Sequence, residues 1–356
     1  MKKLIIYIGG IFLLVLILGI FKFSVLDDDL YVENKEGNIT QINDSAEDYE
    51  DVFIYEEKVD SEEDCTEFEK YNPERGVCFF ECTSEEECEK ITQKIDIALD
   101  ELGEEYADFS KDFKEFDGDT DALKENFELE YKVEKGEKFV VVSGNENKDH
   151  IKISQWLASI SPDNFSDSYL ANLVFLTETA DDSAAFVTPN PQNPSKWDVF
   201  INMQSYYEDG QKEMVFTLIH EFAHILTLNS NQIDEDADVT SCKTYYTQEG
   251  CTNNDSYLNK FYQKFWKGKG FNVQSDNPLD NYSKYPNAFV TEYAATNPGE
   301  DIAESFASFV FKQKPKSPAT IAEEKILFFY EYPELVDLRK SVRSNLTTFV
   351  RKRIIK

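Results

Sequence analysis

The chain opens with a long apolar segment, residues 4–21, which follows two lysines. Lys22 interrupts this segment, and a short apolar extension leads to an acidic cluster that starts at Asp27. About 18 or more apolar residues can cross a bilayer, and lysines in front of such a segment favour a cytoplasmic amino terminus. We interpret residues 1–26 as a single-pass membrane anchor, with the rest of the chain outside the cytoplasm, because no small-residue cleavage site follows. The alternative is a cleaved signal peptide, which would make the protein secreted.

Two regions follow the apolar segment. Residues 27–64 carry sixteen acidic and two basic side chains, a composition typical of an extended, self-repelling stalk. Residues 65–135 contain four cysteines and, after a capping-box pattern at residues 84–87, an apolar repeat at helical spacing. We interpret this second region as a small disulfide-containing helical subdomain, with Phe109, Phe113 and Phe116 in its core.

From residue 136 onward, the pattern predicts strands and then helices. The predicted strands lie at residues 139–142, 173–176, 185–187 and 197–203. The run at residues 139–142 is apolar throughout, which predicts a buried strand. Residues 150–160 read as a helix, with His150 on the surface at its start. Strands followed by helices predict an α+β domain over residues 136–356.

A helix is predicted over residues 211–228, which contain neither Pro nor Gly. Further helices are predicted at residues 257–267, 298–312, 319–330 and 333–351. The helix predicted over residues 211–228 carries the motif His-Glu-x-x-His as His220, Glu221 and His224. Histidines four residues apart project from one face of a helix, so both imidazoles can bind one Zn²⁺. Glu221 can then reach the attacking water as its base. The signal gains weight because the chain has only three histidines.

A catalytic zinc site needs three protein ligands and one open position. No histidine follows His224, so the third ligand must be a carboxylate or a thiolate. Glu300 lies in the first turn of a predicted helix, and Glu304 lies one turn later on the same face. One carboxylate of this pair can bind the metal while the other orients a ligand histidine. Glu292 and Asp301 are the alternative carboxylates.

Charge and cysteine content narrow the classes of partner and compartment. The net charge of −33 excludes nucleic acid as a partner, because nothing here could neutralise phosphates. Six cysteines, an even number, fit an exported protein with disulfides. Cys242 and Cys251 stand alone in the second half of the chain, so we predict that they pair with each other. The four cysteines at residues 65–88 allow three pairings. A four-Cys zinc site is the alternative, but the paired Cys-x-x-Cys spacing is missing.

The motif residues, together with the helix that carries Glu300 and Glu304, resemble the glutamate zincins, metallopeptidases of the thermolysin and neprilysin type. In those enzymes the downstream motif is Glu-x-x-x-Asp, with the first acid on zinc, whereas here Glu304 replaces the aspartate. The position of Tyr293, seven residues before Glu300, resembles that of a tyrosine in anthrax lethal factor-type peptidases, which faces the scissile carbonyl. Tyr282 and Tyr285 are the alternative tyrosines. The resemblance covers residues near 197–310. It implies a zincin-like fold with His220, His224 and Glu300 on zinc.

These features predict a membrane-anchored, extracytoplasmic zinc metallopeptidase that acts on peptide or protein substrates. Glu221 is expected to take a proton from the attacking water and pass it to the leaving amine. Tyr293 is expected to stabilise the oxyanion together with the metal. The strand at residues 197–203 is expected to bind the substrate backbone by edge pairing. A catalytically silent cell-surface binding module is one alternative, although it would not need Glu221 as a base. A metal-dependent amidase that acts on cell-wall peptides is another.

Overall fold

The computed structural model describes residues 84–113 and 126–354, Leu123, and short segments between residues 21 and 80. The gaps within the long stretch are residues 137, 163, 180–181 and 274–278. The predicted membrane segment, residues 1–26, lies outside the described residues, apart from Phe21 and Lys22, which form a short strand. Within the described part of the chain, no helix is long and apolar enough to span a bilayer.

The chain divides into two compact units. One comprises Met1–Ala98 with Leu346–Lys356, and the other comprises Leu99–Asn345. The strands of the first unit form a three-stranded antiparallel sheet and a hairpin: β1 (Phe21–Lys22), β2 (Tyr31–Asn34) and β3 (Ile39–Gln41), then β4 (Glu69–Asn72) and β5 (Val77–Phe80). Strands β2 and β3 lie within residues 27–64, for which the sequence predicts an extended stalk. Cys65 and Cys88 are both disulfide-bonded, as predicted for this cysteine group.

The second unit contains a mixed five-stranded sheet. Its strands are β6 (Phe127–Glu134), β7 (Lys138–Gly144), β8 (Leu170–Leu176), β9 (Ala185–Asn190) and β10 (Asn193–Asn202). Their order is β7-β6-β8-β10-β9, and all pairs are antiparallel except β8 with β10. The first strand of this sheet, β6, ends before residue 136. The sequence pattern predicts that the α+β domain starts at residue 136, so the sheet begins earlier in the chain than that boundary.

Two expectations about strands are wrong. Strand β10, expected to pair with substrate, lies between β8 and β9 and so has no free edge. The edge strand on this side is β9. Strand β7, expected to be buried, lies at the opposite edge, and its Val142 is 53% exposed. Apolar content marks both segments as strands, but it does not determine which neighbours they acquire.

Helices make up most of the rest of the described chain. They are α1 (Glu85–Phe109), α2 (Lys148–Ile160), α3 (Phe165–Tyr169), α4 (Met203–Asp209), α5 (Gln211–Leu228), α6 (Tyr257–Phe265), α7 (Leu279–Lys284), α8 (Pro298–Phe311), α9 (Ile321–Phe329) and α10 (Pro333–Ile354). Short 3₁₀ turns lie at Ser110–Asp112, Pro286–Ala288 and Tyr293–Ala295. The bounds of α5 are those predicted. The structure is thus of the predicted α+β class.

A polar loop follows α5 and returns through a short pair of strands, β11 (Ile233–Asp234) and β12 (Cys251–Thr252). A disulfide joins Cys242 to Cys251 across this loop, with the two Cα atoms 5.7 Å apart. The predicted pairing of these two cysteines is therefore present.

Helices α5 and α8 form the centre of the second unit. They pack against each other, and α5 also packs against the edge strand β9. Every residue of α8 except Gly299 is buried, which is why its apolar side chains extend round the whole helix. Two buried arginines on α10 cap the carboxyl end of α8. Arg339 donates to the carbonyls of Phe309 and Lys312, and Arg343 donates to those of Val310 and Phe311.

His150 was expected on the surface, but it is fully buried in the first turn of α2. Its Nδ1 accepts the backbone N–H of Asn147 at 3.3 Å. Its Nε2 lies 3.1 Å from the Glu128 carboxylate. The expectation is wrong because the strand that carries Glu128 supplies a partner that local sequence does not reveal. Burial lowers the pKa of His150, against the opposing effect of Glu128.

Candidate metal centre

Helix α5 brings its two histidines together on its buried face. The Nε2 atoms of His220 and His224 lie 2.9 Å apart. One carboxylate oxygen of Glu300, Oε2, lies 3.1 Å from Nε2 of His220 and 3.4 Å from Nε2 of His224. Ligand atoms of these three residues all lie within 4.8 Å of one another. His220, His224 and Glu300 therefore form a group that can hold a metal ion.

The start of α8 places Glu300 at this point. Asn297 caps the helix, since its side-chain oxygen accepts the backbone N–H groups of Gly299 at 2.8 Å and Glu300 at 3.0 Å. Pro298 occupies the first turn, where a missing N–H costs nothing. The cap fixes the first turn, and a carboxylate there also interacts favourably with the helix dipole.

Glu304 lies one turn further along α8 and contacts the other side of the first imidazole. Its Oε1 is 2.8 Å from Nδ1 of His220, and its carboxylate is fully buried. A proton on Nδ1 leaves the lone pair of Nε2 directed at the metal position. The geometry therefore gives Glu300 the position of a ligand and Glu304 the position of the residue that orients His220.

Two further hydroxyl groups complete the surroundings of Glu304. Tyr106, on α1, donates to Oε1, and Thr291 donates to Oε2 at 2.6 Å. Burial and the neighbouring Glu304 carboxylate raise the pKa of Tyr106 well above its usual range, so its phenol keeps its proton. Neither residue was singled out from the sequence. The signal available in the sequence was the position of Tyr106, which follows Leu102 by one helical turn and so continues the apolar repeat of α1.

The catalytic carboxyl group predicted from the motif, Glu221, lies beside this group. It is 8% exposed, and burial raises its pKa to about 7, against the opposing effect of His220 and His224. Burial alone would lower the pKa of His220, but its contacts with Glu300 and Glu304 outweigh burial and raise it to about 10.

The donor set fits a divalent cation. Three carboxyl groups and two imidazoles share one buried region, and the imidazoles hold the pKa of Glu300 far below its usual range despite burial. Buried carboxylates need a positive partner, and a divalent cation bound to the imidazole nitrogens can take the place of the imidazole protons. Two imidazole nitrogens with one carboxylate oxygen is a ligand set found in catalytic zinc sites.

Two aromatic residues lie next to the first histidine. Tyr293, in the 3₁₀ turn just before α8, has its ring centroid 5.8 Å from that of His220. Phe113 lies 5.0 Å from His220 and 5.7 Å from Tyr293, measured between ring centroids. The structure thus brings Tyr293 to the metal-binding group, whereas the neighbouring Tyr285 packs against Phe271 instead.

Comparisons with known proteins add little. No protein-family profile matches this chain, and no curated protein matches it. Among solved structures, there is a match to a protein from Bacteroides caccae described as a "putative zinc-binding metallo-peptidase". The two share 15% sequence identity over 74% of this chain and 95% of that one, with a TM-score of 0.32. At this score the match does not bear on function.

The alternative ligand Asp301 points away from the metal-binding group. Its carboxylate lies 2.5 Å from the Lys325 ammonium and accepts the indole N–H of Trp266 at 2.6 Å. Adjacent residues at a helix start thus face two different environments, Glu300 toward the histidines and Asp301 toward a buried lysine. Asp301 therefore contributes to the packing of α8 and not to the metal site.

Proposed function

We propose that this protein is a zinc-dependent metallopeptidase. One observation carries the proposal: the convergence of His220, His224 and Glu300 on one point, with Glu221 beside them. A metal site that only stabilised the fold would not need Glu221, which is not one of the three metal-binding residues. In a metallopeptidase, a carboxylate at this position serves as the general base.

The proposed roles follow from the positions of the side chains. Zinc held by His220, His224 and Glu300 would act as a Lewis acid and lower the pKa of water towards about 7. Glu221 takes the proton of the attacking water and passes it to the leaving amine. Tyr293 donates a hydrogen bond to the oxyanion that develops on the scissile carbonyl.

Strand β9 is the proposed binding edge for the substrate backbone, in place of β10. It pairs with β10 along one side only within the described sheet, and it packs against α5. An extended peptide can add to such an edge through backbone hydrogen bonds. Residues 185–188 supply this edge, because Pro189 has no N–H to donate.

We further propose that the catalytic unit works outside the cytoplasm, anchored by residues 1–26. The apolar segment behind two lysines and the disulfide between Cys242 and Cys251 support this location.

The test measures zinc content and peptide-library cleavage on the same protein preparations. Glu221→Gln should retain zinc and lose at least about 10²-fold in cleavage rate, the scale of general-base catalysis. Glu300→Gln should lose zinc and activity together, because a neutral amide is a poor zinc ligand. Glu213→Gln, on the same helix but paired with Lys212 at 2.9 Å, is the control and should change neither quantity.

Other outcomes would identify other functions. A wild-type protein that binds zinc but cleaves no peptide, with no effect of Glu221→Gln, would be a binding module. Release of cell-wall fragments without peptide-library cleavage would indicate an amidase. Absence of zinc from the wild type would reject the proposal.

A further inference from the structure

The buried carboxylate of Glu304 accepts three donors from three separate parts of the chain. They are Nδ1 of His220 on α5, the phenol of Tyr106 on α1, and the hydroxyl of Thr291, which precedes the 3₁₀ turn of Tyr293. A buried carboxylate needs hydrogen bonds to offset the loss of water. Donors on both oxygens also fix the plane of the carboxylate, because neither oxygen can move without lengthening a bond.

The rest of the structure holds both hydroxyl donors in place. Tyr106 is fully buried, with its ring centroid 5.5 Å from those of Phe216 and Phe311, so its side chain cannot leave without disturbing α5 and α8. The oxygen of Thr291 accepts the backbone N–H of Ala294 at 3.1 Å. That bond directs the hydroxyl hydrogen towards Glu304.

We propose that Tyr106 and Thr291 are positioning residues of the metal centre, which act through Glu304 to fix the protonated Nδ1 of His220 and hence the direction of its Nε2 lone pair. The inference rests on the metal site of the proposed function. It makes helix α1, far upstream of the motif, a required part of that site. The hydroxyl of Tyr106 lies only 3.4 Å from Nδ1 of His220, so it also excludes other groups from this side of the ring.

The test compares single-atom changes by their effect on zinc affinity, measured by competition with chelators on full-length protein in detergent. Tyr106→Phe removes only the hydroxyl oxygen and should weaken zinc binding by about 10–100-fold, the usual range for partners of ligand histidines. Thr291→Val should weaken it in the same direction, and Thr291→Ser, which keeps the hydroxyl, should restore it. Tyr131→Phe is the matched control, because Tyr131 is a buried tyrosine that donates to Glu146 at 2.6 Å.

A double-variant cycle separates positioning from packing. Glu304→Ala should weaken zinc binding by itself, and adding Tyr106→Phe should then have little further effect, because Tyr106 then has no carboxylate through which to act. If the two losses multiply independently, Tyr106 acts through packing and the inference fails. It also fails if Tyr106→Phe leaves zinc affinity within twofold of the wild type.

Imidazole ¹⁵N NMR gives a readout that does not depend on metal or activity. The chain has three histidines, so the Nδ1–H signal of His220 can be assigned by substitution. This signal should shift in Tyr106→Phe and Thr291→Val and stay in place in Tyr131→Phe. If the wild type bound no zinc, the proposed function would fail and this signal would still decide the inference. An unchanged signal in both variants would overturn it.

Discussion

Replacing Lys325 by Met should be among the most destabilising single changes in the second unit. Lys325 and Asp301 are both fully buried, with their charged atoms 2.5 Å apart. Burial raises the pKa of Asp301 to about 6 and lowers that of Lys325, while each opposes the shift of the other. Lys325→Met keeps most of the aliphatic stem but leaves Asp301 with the indole N–H of Trp266 and the Ser305 hydroxyl as donors.

The expected loss of stability comes from the Asp301 carboxylate, which Lys325→Met leaves buried without its charged partner. Removal of one partner of a buried ion pair typically costs about 3–5 kcal/mol, a large share of a total stability of roughly 5–15 kcal/mol. The ammonium also lies 4.1 Å from the centroid of the Phe289 ring, a cation–π contact that is lost as well. The double variant Asp301→Asn/Lys325→Met removes both charges, so it should recover much of the loss.

Guanidinium unfolding of the metal-free proteins, followed by tryptophan fluorescence, measures these free energies. Removing the metal first keeps differences in metal affinity out of the comparison. A cost below about 1 kcal/mol for Lys325→Met, or a double variant less stable than both single variants, would refute the reasoning. The first outcome would mean that water reaches Asp301, and the second that the two groups do not act as a pair.

Three further outcomes are expected. Chelation should lower the melting temperature and added zinc should restore it, since a metal at 100 times its Kd stabilises by about 2.7 kcal/mol; a scan with no shift would argue against a bound metal. The double substitution Cys242→Ser/Cys251→Ser should cost about 2–3 kcal/mol because the closed loop is short, as measured by the denaturant midpoint. Glu323 accepts the backbone N–H groups of Ala319 and Thr320, which lower its pKa. Its contribution to stability is therefore present above the ordinary Glu pKa and is lost as pH falls through the lower folded value; Glu323→Gln should flatten the stability–pH curve in that range.

The sequence predicts local structure best where one pattern decides it. Helix α5 has the predicted bounds because an apolar run without Pro or Gly follows Gly210, whose backbone φ of 110° does not continue a helix. The start of α8 is equally readable, since Asn297 and Pro298 form a typical capping sequence. The pair Glu300 and Glu304 was identified together for the same reason, as residues one helical turn apart share a face.

Features that depend on distant parts of the chain were not predictable from local patterns. Strand order placed the 197–203 strand inside the sheet and the 139–142 strand at its edge, although both segments are apolar. His150, at the start of helix α2, is buried where Glu128 of strand β6 supplies a partner for its ring. Tyr106 reaches Glu304 across 198 positions of the chain, and no periodicity records such a contact.

The arginine cap of α8 has a consequence for the order of biosynthesis. The chain is made from its amino end, so Glu300 and Glu304 are synthesised well before Arg339 and Arg343, which satisfy the last carbonyls of their helix. A nascent chain that stops at Pro333 already contains every residue proposed for catalysis, yet it lacks the two arginines that donate to the last carbonyls of its ligand helix. We expect such a truncated chain to bind zinc poorly, so that the metal centre forms only when synthesis is nearly complete.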